Sequence, residues 1–384
     1  MLILRGGTVV DADGRREADV AVEDGEVVSV GDVPDESDEE IDATGQFVAP
    51  GLVDAHVHLM MDGRPDPSEV HDDSEATLAY RATANLRDAL DAGVTTVRDL
   101  GAPGSLALDA GTAVGRGVLE GPRVLACGEN VVMTGGHGHW FGREADGVAE
   151  VKKAVREQLK RGADVVKCMA TGGVLTEGAL TGAPELDEAE LDALVDVADA
   201  KRVPTAAHAH GTAGIKNAVR AGISSVEHGT FMDREAAELM ADRGTYWVPT
   251  GKALYGIVEA GTEAGIPEFA VEKAEKAKEA WDEAFEYALD AGVEIAMGTD
   301  AGTPFNYHGD IPEELELMVR HGLSERAALE AATVNAADLL GVEGVGTVAE
   351  GTRADLVVLG DDPLDDVTAW QSPTRVVRRG TVVR

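Results

Sequence analysis

Apolar residues along this chain follow two patterns. Near both ends they form short runs broken by turn signals, and in between, strand-like runs alternate with longer stretches of helical spacing. Over residues 1–48 the strand-like segments are Leu2-Ile3-Leu4, Val9-Val10, Asp19-Val20-Ala21-Val22 and Glu26-Val27-Val28-Ser29-Val30. They are separated by Gly6-Gly7, Asp13-Gly14 and Asp24-Gly25. The acidic stretch 32–40 reads as a solvated loop. Segments 354–359 and 375–383 echo the pattern at the other end. A short N-terminal sheet alone would leave an open edge. The two ends are therefore expected to pair into one composite β-sandwich, from residues 1–50 plus 345–384.

Between them, strand candidates fall at 52–58, 94–99, 123–127, 164–169, 203–209, 224–228, 245–249 and 294–299. Helical stretches lie at 75–92, 147–161, 187–201, 212–221, 233–243 and 268–291, the last with Trp281, Phe285 and Leu289 at spacing four. Strands alternating with helices predict a parallel α/β arrangement, and eight of them predict a (β/α)8 TIM barrel over residues 51–344. In such a barrel the active site lies at the C-terminal ends of the strands.

Polar side chains gather at those ends. His56 and His58 close the first candidate strand, and their i, i+2 spacing puts both on one face. Lys167 interrupts the apolar run Val165-Val166-Lys167-Cys168-Met169, where a lysine is costly without a task. Burial lowers a lysine's pKa and frees the neutral amine. Such an amine can add CO2 to form a carbamate, which can bridge two cations; pairing with a buried aspartate is the alternative. His208 and His210 close the fifth strand, His228 the sixth and Asp300 the eighth, where Asp300 also suits a helix N-cap. His137 and His139 follow the third strand in a glycine-rich loop, placed either to polarise a carbonyl or merely to sit on the surface. Of ten histidines only His71 and His321 lie away from predicted strand ends. Each alone fits a hydrogen-bonded core residue, but together they predict a metal-dependent hydrolase.

Composition narrows the setting. The net charge of −38 repels phosphate backbones and anionic headgroups, which excludes nucleic acid and membrane surfaces as partners. Its counterpart is adaptation to high salt: near 1 M the Debye length falls to about 3 Å and self-repulsion is screened. The basic residues, 23 Arg and only 10 Lys, fit a lysine-poor surface of that kind. Cys127 and Cys168 form neither a C-x-x-C pair nor a disulfide framework, no signal peptide is apparent, and no apolar run reaches membrane-spanning length. A reducing cytoplasm is the expected compartment.

The chain resembles the amidohydrolase superfamily over nearly its whole length. The resemblance rests on Pro50-Gly51-Leu52-Val53-Asp54-Ala55-His56-Val57-His58, on Lys167, on Gly298-Thr299-Asp300, and on the tail from Ala331-Ala332-Thr333-Val334-Asn335-Ala336-Ala337 through Gly351-Thr352-Arg353-Ala354-Asp355-Leu356-Val357. Met169-Ala170-Thr171-Gly172-Gly173, Thr134-Gly135-Gly136-His137-Gly138 and Gly298-Thr299-Asp300-Ala301-Gly302-Thr303-Pro304 resemble the branch containing Xaa-Pro dipeptidases (prolidases) and imidazolonepropionase relatives. The resemblance implies two divalent metal ions, zinc in most members. His56, His58 and Asp300 would hold one ion and His208 and His228 the other. Carbamylated Lys167 and a hydroxide would lie between them. Asp300 would carry the proton to the leaving amine and His137 would stabilise the oxyanion. A bridging lysine favours peptide-like amide cleavage over deamination. The implied activity is hydrolysis of a small amide, a dipeptide such as Xaa-Pro first. A cyclic amide is the second enzymatic reading and a catalytically silent scaffold the third. His139, His210, Tyr255, Tyr307, His308 and Arg234 are candidates for substrate contact. The loop from Met60 to Thr77 is a candidate lid or a disordered acidic loop, and a homo-oligomer is expected.

The charge generates a prediction. Thermal midpoint and activity should rise together as KCl is raised from about 0.1 M to 1 M and beyond, the range over which the Debye length contracts from about 10 to 3 Å. Full activity in dilute buffer would count against salt adaptation.

Overall fold

The computed structural model describes residues 1–384, apart from the side chain of His71. Both ends of the chain build two small sheets. Strands Leu2–Arg5, Asp19–Glu23, Glu26–Gly31 and Glu39–Asp42 form one; the others join strands from both ends. In the second sheet Phe47–Pro50 runs antiparallel to Leu356–Leu359, with Leu356 opposite Pro50 and Val358 opposite Val48. The far strands Thr8–Asp11 and Arg375–Arg378 flank that pair. Val9, Val20, Val48, Leu356 and Val377 share one buried cluster, so apolar residues from both ends fill a common interior.

The central part is α/β with parallel strands. Leu52–Val57, Val94–Asp99 and Arg123–Ala126 form one parallel arc. Val166–Met169, Thr205–Gly211, Ser225–Phe231 and Tyr246–Val248 form the core of a second. Helices cover the outside, each presenting an apolar stripe to the sheet. On Glu268–Ala291 that stripe includes Trp281, Phe285 and Ala288, all buried, whereas Leu289 is only partly so. The rings of Trp281, Phe285 and Trp247 pack together, with Trp247–Phe285 centroids 5.0 Å apart. Segment 60–77 carries a short 3-10 helix, Pro67–Asp72, and Arg64 and Arg81 each pair with Asp62 and Asp73 to tie it down.

One predicted strand does not form as expected. Residues 294–299 make no regular ladder. Ile295 meets Trp247, and Ala301 meets Val57, only in isolated parallel bridges. The segment's polar groups are taken by other partners. The Met297 amide donates to Ala331 O (2.9 Å), Asn335 Nδ2 donates to Ile295 O (3.0 Å), and both the amide and hydroxyl of Thr299 donate to Asp54 (3.1 and 2.6 Å). Ala55 N also donates to Met297 O (2.9 Å) and Asp300 N to His56 O (2.7 Å), which holds the segment against the first strand. Helices Leu106–Gly115, Gly251–Ala260 and Ile311–Arg320 were not anticipated.

Gly298 sits where this junction is tightest. A Cβ there would lie 2.5 Å from Val248 Cγ1 and 2.9 Å from the backbone nitrogen of His56, which cannot swing aside. Gly298→Ala should therefore destabilise the fold by about 1–3 kcal/mol, the usual range for overpacking a dense interior. Urea unfolding monitored by far-UV circular dichroism measures it, and an unchanged midpoint would contradict this packing.

Candidate metal centre

Two groups of electron-rich atoms meet in one cavity. His56, His58 and Asp300 form the first, and His208, His210 and His228 the second; within each group the candidate ligand atoms lie within 4.8 Å of one another, and all six residues are buried. Register brings them together. Met169 is the neighbour of His208 across one strand pair and Ala209 of His228 across the next, so the histidines stand at one level. Lys167, two residues before Met169, lies one pleat below on the same face. The cavity is lined by all six residues together with Lys167 and His137.

The histidines are held by their other ring nitrogen. His56 Nδ1 lies 2.9 Å from Glu227 Oε2 and His58 Nδ1 3.0 Å from Gly101 O. Both partners are acceptors, so both Nδ1 atoms carry a proton and each ring turns its Nε2 inward, as a lone pair wherever the ring is neutral. Those two Nε2 atoms stand 3.3 and 3.2 Å from the same oxygen, Asp300 Oδ1. Three lone pairs facing one point repel unless a proton or a cation lies among them. His228 Nδ1 contacts Thr250 Oγ1 (2.7 Å) and His210 Nδ1 contacts Thr230 Oγ1 (2.6 Å). His208 Nε2 is buried and makes no hydrogen bond among the described residues. Its ring centroid is 4.6 Å from those of both His210 and His228.

Burial sets the protonation pattern. It carries His208 and His228 well below the ordinary imidazole range, with neighbouring histidines adding to the effect. It also brings His56 and His210 down to about 4. Burial is the largest influence on His58 and opposes its charge, but the hydrogen bond to Asp300 together with the charges of Asp300 and Asp99 outweighs it and raises that ring. Burial would raise Asp300, yet His56 and His58 hold it below the usual carboxylate value. Lys167 is lowered, chiefly by desolvation, and its amine makes no hydrogen bond or ion pair among the described residues. Two sets of nitrogen and carboxylate donors around an orphaned imidazole nitrogen fit divalent ions of the zinc class.

Backbone geometry shows that these positions are enforced. His228, Thr250 and Asp300 have φ of 69°, 51° and 58°. Left-handed conformations are unfavourable for side-chain-bearing residues, most of all for a β-branched threonine, and persist only where the surroundings over-determine them. Trp247 Nε1 donates to His228 O (2.9 Å), and Thr250 meets the same histidine's ring.

His137 enters from its loop. Thr176 Oγ1 accepts from Gly138 N (3.2 Å) and lies 2.8 Å from His137 Nδ1. A Thr176 hydroxyl that turns its proton to Nδ1 leaves Nε2–H as the ring's donor. Gly173 makes room for the ring: a Cβ there would stand 2.4 Å from Nε2. Burial lowers His137 to about 3.

Other candidates lie elsewhere. His139 is exposed, its Nδ1 near Gly136 O (3.0 Å). Tyr255 is turned away from the cavity, its hydroxyl 3.2 Å from His321 Nε2. Tyr307 is half exposed and covers Gly63. Arg234 is exposed and pairs with Asp290 (3.0 Å). His308 is buried, and its Nε2 makes no hydrogen bond among the described residues. The sequence reading overlooked Glu227 and Arg98. Both are buried; Arg98 Nη2 meets Glu227 Oε1 (3.0 Å) while the other oxygen holds His56. A charged residue in the middle of a strand-like run was the available signal.

The chain matches the amidohydrolase family over residues 47–383. It is 30% identical to ochratoxinase of Aspergillus niger across 97% of this chain and 84% of that protein. Its fold is similar to that of a Xaa-Pro dipeptidase crystallised with methionine in the active site, with a TM-score of 0.94, 31% identity, and coverage of 100% of this chain and 99% of that one. A prolidase complexed with N-methylphosphonate-L-proline gives a TM-score of 0.93 at 32% identity, with 100% and 99% covered. The chain belongs to the amidohydrolase family, and it is a hydrolase of amide bonds.

A second-sphere prediction follows from the His56–Glu227 contact. Glu227→Gln keeps the shape but removes the charge that fixes the His56 tautomer. It should weaken divalent-metal affinity about 10–100-fold, read by competition with a chromophoric chelator. Unchanged affinity would mean that His56 is not a ligand.

Proposed function

We propose that this protein is a binuclear metallohydrolase that cleaves small dipeptides, of the Xaa-Pro type first. The observation that carries the reading is the placement of buried Lys167 in the same cavity as two three-residue ligand groups. Its support includes the similarity to the two dipeptidase structures. In this reading the two parallel arcs and segment 294–301 make up a closed (β/α)8 barrel over 51–344, with residues 1–50 and 345–384 as the composite β-sandwich.

His56, His58 and Asp300 would hold one divalent ion, zinc in our reading, and His208 and His228 the other, with His210 beside it. Lys167, carbamylated, lies between the groups. Ions bound there supply Lewis acidity, polarising a carbonyl and lowering the pKa of water. The chain's own residues do the rest. Asp300, kept ionised by the imidazoles around it, accepts a proton from the attacking water and returns it to the leaving amine nitrogen. His137, with Nε2–H as its donor, stabilises the oxyanion of the tetrahedral intermediate, a contribution of roughly 3–4 kcal/mol in comparable sites. Thr176 holds that tautomer. An apolar wall of Trp140, Phe141, Leu175, Leu254 and Ile257 suits a proline ring or an apolar side chain and excludes bulk water from the reacting amide. Free, buried Cys127 and Cys168 suit a reducing cytoplasm.

Lys167→Ala should abolish hydrolysis of an Xaa-Pro panel, and short carboxylic acids added in trans should restore part of it. Full activity in Lys167→Ala would overturn the bridge. Turnover of cyclic ureas or lactams in preference to every dipeptide would overturn the substrate class while leaving the site intact.

A further inference from the structure

On the opposite side of the parallel arc from the metal groups, arginines from distant parts of the chain converge. Arg123 opens the strand Arg123–Ala126, which ends beside Asp99 at the metal level, so its side chain belongs to the other rim. It meets Arg353, Arg378 and Arg379 around a cavity of about 180 Å³, closed on one side by the last turns of helix Leu106–Gly115. One water needs only about 10–15 Å³ of such space, so a hydrated tetrahedral ion fits. In a chain with 71 acidic and 33 basic residues, a concentration of guanidinium groups is an exception to be explained.

The internal charges do not balance. Asp355 is the one carboxylate paired within the cluster, accepting from Arg378 Nη1 (2.9 Å) and Arg379 N (2.7 Å) and lying 3.3 Å from Arg353 Nε. The side chain of Arg123, a half-buried residue, makes no hydrogen bond or ion pair among the described residues. Arg378 is more than nine-tenths buried, yet its Nε, also buried, lacks a partner among the described residues. Burial, then repulsion from Arg353 and Arg378, disfavour charge on Arg123 and outweigh the attraction of Asp355; Asp164 is the other carboxylate that feels its charge. Asp24 and Glu120 lie in the wider groove next door, lined by Arg378 and Arg379 but not by Arg123 or Arg353. Arg379 adds a backbone feature: with φ of 50° it occupies a turn position that glycine or asparagine fills more readily.

We propose that this cavity is an anion site for a tetrahedral dianion, inorganic phosphate or sulfate, held between the parallel arc and the composite β-sheets. Guanidinium groups match such oxygens in paired hydrogen bonds. The overall negative charge does not forbid it. At molar salt the protein's field is screened within about 3 Å, and only the groups lining the cavity act on an ion inside it. The anion links Arg123 of the arc to Arg353 and Arg378 of the terminal segments, and binding to the folded chain alone stabilises it.

Isothermal titration of inorganic phosphate into the full-length protein, at constant ionic strength in KCl, tests the site. Saturable binding near one equivalent is expected, with sulfate competing and acetate not. Arg123→Gln removes a side chain that makes no hydrogen bond or ion pair among the described residues, so it should fold and hydrolyse substrate normally, while its phosphate affinity falls at least about tenfold. Absence of saturable binding overturns the proposal. So does equal affinity in Arg123→Gln, which would place the phosphate elsewhere, such as the metal centre. A change of oligomeric state in Arg123→Gln without phosphate dependence would make the arginines a contact between copies and overturn it equally.

Discussion

Lone pairs that face one another inside a protein must be separated by a proton or a cation, and that constraint organises this molecule. His56 and His58 commit their Nδ1 protons to Glu227 and to Gly101 O, which turns both Nε2 atoms onto a single oxygen of Asp300, so that a proton or a cation must lie among them. Beside them His208 keeps a buried nitrogen with no hydrogen-bond partner among the described residues. An unpaired buried polar atom costs about 1–3 kcal/mol, and one beside three converging ligand atoms in the same cavity marks a place built to receive charge rather than a defect of packing.

Much of the surrounding fold serves to hold those atoms in place. Asp54 pins Thr299 and so carries Asp300 to the end of the first strand. Arg98 neutralises Glu227, which lets a carboxylate sit fully buried behind His56 and holds it down to about 2 against the upward pull of burial. Removing one partner of such a pair is far more disruptive than its net worth suggests, because the other charge is left unpaired. The left-handed backbone at His228 and Asp300 points the same way, since the strain is tolerated where the side chain's direction matters more than local comfort.

How far the sequence revealed this depended on whether the signal was local. Parallel strands with apolar cores could be read from residue type, and so could histidines at their ends. Segment 294–299 looked like a strand because Val293 to Met297 is mostly apolar, but besides Trp247 and the first strand its hydrogen-bond partners include the Asp54 side chain and the helical segment Ala331–Asn335, which no local pattern announces. Helix Gly251–Ala260 begins with glycine, and its first amides are satisfied by Glu314 from another helix (2.9 and 2.7 Å), so no capping residue in its own segment marked it. Tyr255 lies on that helix, and its ring packs toward Trp281 and His321 instead of the cavity. Glu227 was hidden next to a more conspicuous histidine.

The most direct measurement of the central claim is anomalous diffraction at the zinc edge from crystals of the protein grown with zinc and bicarbonate. The account predicts two peaks per chain, one within His56, His58 and Asp300 and one against His208 and His228, with density for a carboxylated Lys167 between them. Crystals with no peak in either group, or with a single ion and an unmodified lysine turned away from it, would contradict the account.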